Sequence, residues 1–120
     1  MVKLLFDTNI LIDYLNGVDE ARVELELQTD KAISFVTWLE VMDAANPTTE
    51  VVVKAFLGGF TSLPMDEKVV AIALKLRKVH KITFQDAIVW ATAQAYSRIL
   101  VTRDTNFADS EPGIRIPYKF

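Results

Sequence analysis

Short apolar runs alternate along this chain with longer segments whose apolar residues recur every three or four positions. Val2–Phe6 reads as a buried strand, and the helical spacing of Ile10, Leu11, Tyr14 and Leu15 predicts a helix that stops near Gly17. Residues 19–30 predict a second helix with Val23 and Leu27 facing inward, and Ala32–Val36 a second strand. Thr37 is the expected cap of a helix running to about Asn46, where Pro47 ends it or opens the next, predicted over Thr48–Phe60 and stopped by Gly58-Gly59. A short strand near Ser62-Leu63 precedes Asp66, the expected cap of an amphipathic helix carrying Val69, Val70, Ala73 and Leu76. Thr83 caps the most apolar helix, Phe84–Tyr96, apolar almost all round and therefore central. Ile99–Val101 and Ile114–Ile116 close the pattern as strands. Strands alternating with helices, without hairpin signals, predict an α/β fold: a mostly parallel central sheet flanked by helices on both faces, one domain over 1–120.

Four acids interrupt this apolar frame. Asp7 closes Leu4-Leu5-Phe6, Glu40 follows Ile33-Ser34-Phe35-Val36, Asp86 opens Ala87-Ile88-Val89-Trp90-Ala91, and Asp104 trails Ile99-Leu100-Val101. An ionised carboxylate is costly to bury without a partner or a metal. In right-handed βαβ units the helix begins just beyond the carboxyl end of its strand, and ligand crevices of open α/β sheets lie on that edge. All four acids are therefore expected to face one crevice. Each also has an ordinary structural explanation. Thr37-x-x-Glu40 and Thr83-x-x-Asp86 fit capping boxes, and Asp7-Thr8-Asn9 fits a helix cap. Taken together, a crevice of carboxylates suits a hard cation such as Mg²⁺ or Mn²⁺.

Composition narrows the choice. The 120 residues contain no cysteine, which excludes disulfides, thiolate metal sites and cysteine nucleophiles. No apolar run approaches a membrane span and the opening run is too short for a signal peptide, so a cytoplasmic protein is expected. Residues 1–60 carry 4 Lys and Arg against 10 Asp and Glu, a net −6; residues 61–120 carry 9 against 6, a net +3. Lys75, Arg77, Lys78 and Lys81 form the densest basic cluster, with Arg98 and Arg103 later; a solvated helix face is its simplest reading. The single His80 reads as a favourable charge at a helix C-terminus or a surface residue.

Four segments now become familiar. Phe6-Asp7-Thr8-Asn9-Ile10-Leu11-Ile12, Ser34-Phe35-Val36-Thr37-Trp38-Leu39-Glu40, Phe84-Gln85-Asp86-Ala87-Ile88-Val89-Trp90-Ala91-Thr92-Ala93 and Leu100-Val101-Thr102-Arg103-Asp104-Thr105-Asn106-Phe107 occur in the order and at the spacing of the PIN-domain family. Across nearly its whole length the chain resembles the small VapC-type ribonuclease toxins of toxin–antitoxin pairs. The resemblance implies metal ligation by Asp7, Glu40, Asp86 and Asp104, with Mg²⁺ or Mn²⁺ promoting hydrolysis of an RNA phosphodiester, and Asn9, Thr102 and Asn106 as supporting polar groups. It also implies a homodimer and an antitoxin whose Arg or Lys enters the acidic groove; Leu11, Leu15 and the 48–60 helix are the candidate dimer surface. Two positions depart from the pattern. Trp38, expected in core packing, precedes the glutamate, and Asn106 stands where many relatives carry another acid. The stretch between Ala45 and Ser62 is short for the family, which implies that a region used for substrate or antitoxin contact is trimmed.

The residues leave other functions open at this point. A PIN nuclease of housekeeping RNA processing or decay needs no antitoxin, and a catalytically silent PIN-fold module would keep the fold for protein contacts. An aspartyl phosphotransferase would use Asp7 as nucleophile, but its usual second aspartate, two residues on, is Asn9 here.

Overall fold

The computed structural model describes residues 2–107 and 111–120. Among these residues five strands, β1 (Leu4–Phe6), β2 (Lys31–Ser34), β3 (Thr61–Leu63), β4 (Ile99–Val101) and β5 (Ile114–Arg115), form one sheet in the order β3-β2-β1-β4-β5. Every neighbouring pair is parallel, so the expected mostly parallel sheet is parallel throughout. Among the described residues, six helices cover it: α1 (Thr8–Leu15), α2 (Asp19–Glu26), α3 (Phe35–Ala44), α4 (Glu50–Leu57), α5 (Glu67–Val79) and α6 (Phe84–Ala95). Among the described residues, no helix is long and apolar enough to cross a membrane.

Strand alternation sorts the core into two layers. Leu4, Phe6, Ile33 and Val101 point to the side of α1–α4, where they pack with Ile10, Leu11, Leu25, Val41, Val53 and Phe60. Leu5, Ala32 and Leu100 point the other way, onto Val89, Trp90 and Ala93 of α6. Beneath them α5 and α6 meet through Val69, Ala73, Ala87, Ala91 and Ala95, small side chains that let two helices approach closely. Burial on nearly every side of α6 matches the prediction from its apolar sequence.

Several boundaries and faces differ from expectation, each for a local reason. Ser34, not Thr37, caps α3: its hydroxyl accepts the Thr37 N–H at 3.1 Å, and Phe35 and Val36 become the first turn. Thr37 is buried inside the helix, so Thr37-x-x-Glu40 is no capping box, and Glu40 stands in the second turn. In α2 the inward residues are Ala21, Glu24 and Leu25; Val23 and Leu27 are exposed. Glu24 can occupy that face because Arg115 reaches it at 2.8 Å. Helix α4 starts later than Thr48 because the Asn46 side chain accepts the Thr48 and Thr49 N–H groups, both at 2.9 Å, and so builds a turn. Val70 lies on the exposed side of α5, and β5 stops at Arg115. Leu11 is fully buried and therefore cannot form part of a dimer surface. Trp38 is half-buried against the α1–α4 core and stacks on Phe35. His80 ends α5 with its ring 4.8 Å from that of Trp90.

Candidate active site

The strand order reverses at β1: β2 and β3 lie to one side, β4 and β5 to the other. The crevice above such a switch point is where open α/β sheets bind ligands. Here β1 delivers Asp7 and β4 leads into Thr102, Arg103 and Asp104. A cavity of about 310 Å³ opens at this edge, lined by Asp7, Thr8, Asn9, Ile12, Glu40, Gln85, Asp86, Val89, Arg103 and Asp104. All four acids singled out from the sequence thus share one pocket, although they come from four separate segments.

Asp7 is 6 % exposed and held on both oxygens. One accepts the Thr8 N–H at 2.8 Å; the other accepts the Thr102 hydroxyl at 2.8 Å and the Asn9 amide at 3.4 Å. Asp7 is therefore the cap of α1, and among the described residues its hydrogen-bond donors are all neutral. Burial pushes its carboxyl up to about 6, the Thr102 and Thr8 hydrogen bonds oppose the rise, and the charges of Asp86 and Glu40 add to it. Thr102 is the hub of the support: its hydroxyl also accepts the Asn9 amide at 3.2 Å and the Asp104 N–H at 3.1 Å. The Asn9 carbonyl oxygen in turn accepts the Arg103 N–H at 3.2 Å.

The other three acids are more open. Glu40 accepts the Thr8 hydroxyl at 2.8 Å, and that hydroxyl lies 3.0 Å from the hydroxyl of buried Thr37. Asp86 is the third residue of α6, and the Thr83 hydroxyl accepts its N–H at 3.1 Å. Among the described residues no bond runs back from the Thr83 N–H to the Asp86 carboxylate, so only half a capping box forms. Partial burial, followed by the charges of Asp104 and Glu40, raises the Asp86 carboxyl above its usual value. Asp104 accepts the Asn106 N–H at 2.9 Å; Asn106 is itself exposed and lies outside the pocket lining. Among the described residues no three acidic or histidine side chains are drawn together as a ready-made metal cage.

Sequence reasoning passed over several participants. Gln85 carries no spacing signal of its own, and Thr8 and Thr37, read from the sequence only as cap residues, instead hold Glu40 through the Thr8 hydroxyl. Arg103 was visible only as a late basic residue. It lines the pocket, yet its Nε and Nη2 atoms pair with the carboxylate of Asp13, which also accepts the Tyr118 hydroxyl at 2.9 Å.

Residues 4–111 match the PIN domain family model. The chain belongs to the PIN domain family. A chain of a toxin–antitoxin complex from Klebsiella pneumoniae is 38 % identical with a TM-score of 0.93, over 98 % of this chain and 100 % of that one. FitAcB from Neisseria gonorrhoeae matches at 25 % identity and TM-score 0.79, covering 95 % and 97 % of the two chains. VapBC2 from Rickettsia felis, solved with a promoter DNA fragment, shares the fold at 19 % identity and TM-score 0.80, covering 100 % and 99 %. No curated protein matches the chain significantly.

Proposed function

We propose that this PIN domain is a Mg²⁺- or Mn²⁺-dependent endoribonuclease and the toxin of a toxin–antitoxin pair. One observation carries the reading: four carboxylates from four segments line one pocket at the switch point, and the most buried of them, Asp7, has only neutral donors around it. The donor set fits a hard divalent cation, being all oxygen, and the mutual repulsion among Asp7, Glu40, Asp86 and Asp104 is relieved by a positive ion. Mg²⁺ keeps several of its waters, which suits carboxylates that do not close into a cage. Asp7, Glu40, Asp86 and Asp104 would hold the ion, which when bound supplies Lewis-acid activation of water and neutralises phosphate charge.

The chain's own residues prepare the pocket. Thr102 and Asn9 fix the orientation of Asp7, Thr8 holds Glu40, and the Asn106 N–H holds Asp104. These bonds order the carboxylates before substrate arrives, which is what lets them act without further rearrangement. The same negative pocket is a receptor for an antitoxin arginine or lysine, through charge-assisted hydrogen bonds. The likeness to a chain of the Klebsiella toxin–antitoxin complex supports such a partner. For a homodimer, the supporting feature is an apolar groove of about 470 Å³ lined by residues that include Leu15, Val41, Ala44, Val52 and Val53. On this reading the protein acts in the cytoplasm.

The test is cleavage of single-stranded RNA by the purified chain with Mg²⁺, with Mn²⁺ and with EDTA. Metal-dependent cleavage that disappears in Asp7→Asn supports the reading; undiminished cleavage in that variant, or none with either metal, sinks it. Expression alone in a bacterium separates toxin from housekeeping nuclease: growth arrest relieved by the adjacent gene is expected, and harmless expression of a cleavage-competent chain would refute the toxin assignment.

A further inference from the structure

Arg103 lines the acidic pocket, yet its guanidinium is tied to Asp13 by two nitrogens, Nη2 at 3.1 Å and Nε more closely. Asp13 is 4 % exposed and also bound to Tyr118, so Arg103 is anchored from inside the protein. A solvated arginine explores many rotamers; this one presents its charge from one place. The pairing uses two of the five donors of a guanidinium. Beside it lies a second cavity of about 320 Å³, lined by Asn9, Arg103, Asp104, Thr105, Lys119 and Phe120. It shares Asn9, Arg103 and Asp104 with the acidic pocket, so the two are contiguous. Their linings differ: the first holds the four carboxylates Asp7, Glu40, Asp86 and Asp104, and of these the second shares Asp104 alone. Phe120, with its ring centre 5.1 Å from the Arg103 guanidinium carbon, is 75 % exposed.

The geometry points to this second cavity as the subsite for the nucleotide adjoining the scissile phosphodiester, with Arg103 binding its phosphate and Phe120 stacking on its base. The inference rests on the nuclease reading above. A strand whose scissile phosphate sits among carboxylates needs positive charge for its neighbouring phosphate, and a held guanidinium matches phosphate oxygens better than an ammonium. Single-stranded RNA is commonly gripped by such a pairing of basic groups with an aromatic face. Because Arg103 directly precedes Asp104, the phosphate contact and the acid it adjoins are fixed in register by one peptide bond.

The experiment is fluorescence anisotropy of a labelled single-stranded oligouridine RNA with the full chain, over a salt series, with Ca²⁺ in place of Mg²⁺ to spare the strand. Thermal melting of each variant reports folding. Arg103→Gln is expected to weaken binding about tenfold and to reduce the slope of log affinity against log salt by about 0.7, one phosphate contact in a single strand. Arg103→Lys should restore the slope with only part of the affinity. Phe120→Leu should cost about fivefold with an unchanged slope. A folded Arg103→Gln variant with the parental affinity and slope overturns the subsite and leaves Arg103 purely structural. If Arg103→Gln does not fold, Arg103→Lys and Phe120→Leu decide, and parental binding in Phe120→Leu overturns the proposal. Parental RNA binding without metal-dependent cleavage would instead refute the nuclease reading, so the two failures are distinguishable.

Discussion

Two aspartates six residues apart, Asp7 and Asp13, are both almost fully buried, at 6 % and 4 % exposure, and their surroundings are opposite. Asp13 faces the Arg103 guanidinium and the Tyr118 hydroxyl, so it has a cationic partner inside the protein. Asp7 meets a backbone N–H, a hydroxyl and an amide, with further carboxylates behind them. Asp13 is compensated and ties the C-terminal segment to α1. Asp7 is left uncompensated at a cost in stability, and it lies in a cleft. A buried acid that lacks its cation is the better marker of a functional site.

The sharpest break of this comparison is substitution at each aspartate. Asp7→Asn is expected to lower RNA cleavage about a thousandfold, yet to raise stability at pH 7, because it removes a charge disfavoured first by burial and then by the charges of Asp86 and Glu40. Initial rates and urea unfolding check both; a loss of stability would mean that Asp7 is compensated after all. Asp13→Asn should do the reverse to the fold, destabilising by about 3 kcal/mol, the low end for a broken buried pair because the Arg103 side chain is 34 % exposed and water reaches it. An unchanged urea midpoint would remove the structural role given to Asp13.

Titration sharpens the contrast further. The Asp7 carboxyl is raised from 3.8 to about 6, so between these values the folded state binds more protons than the unfolded. Stability of the metal-free protein should therefore fall as pH rises from about 4 to about 6, by roughly 2 to 3 kcal/mol from this group. The raised Asp86 carboxyl acts in the same direction. The difference between parent and Asp7→Asn across that range isolates the effect, and parallel curves would exclude it. The smallest expected change is Thr102→Val, which deletes the hydroxyl bonded to Asp7. It should cost about 1 kcal/mol and about tenfold in cleavage; activity equal to the parent would show that Asn9 and Thr8 suffice to hold the carboxylate.

Much of this arrangement is legible in the chain. Asp66 and Thr83 announce helix starts because a hydroxyl or carboxylate three residues before a backbone N–H is local chemistry, and both accept that bond. Positions 7 and 104 follow from the rule that crevices lie at the carboxyl ends of parallel strands. Where reading fails, two local signals compete. Ser34 and Thr37 can each cap a helix; Ser34 prevails because Phe35 and Val36 fit the first turn, which moves Glu40 one turn deeper. In α2, Val23 and Leu27 look like core, but the face that meets the sheet carries Ala21 and Leu25, and Arg115 makes Glu24 tolerable there.

The alternation of apolar runs, the caps and the ends of strands belong to the sequence by itself, because each depends on residues only a few positions apart. That is sufficient for a parallel α/β sheet with acids along one edge. The tertiary structure alone decided which buried acid receives a cation. Asp13 and Arg103 are 90 residues apart, and Thr102 reaches Asp7 across 95. Such partners meet only through the pairing of Phe6 with Val101 in adjacent strands, a register that no local pattern encodes.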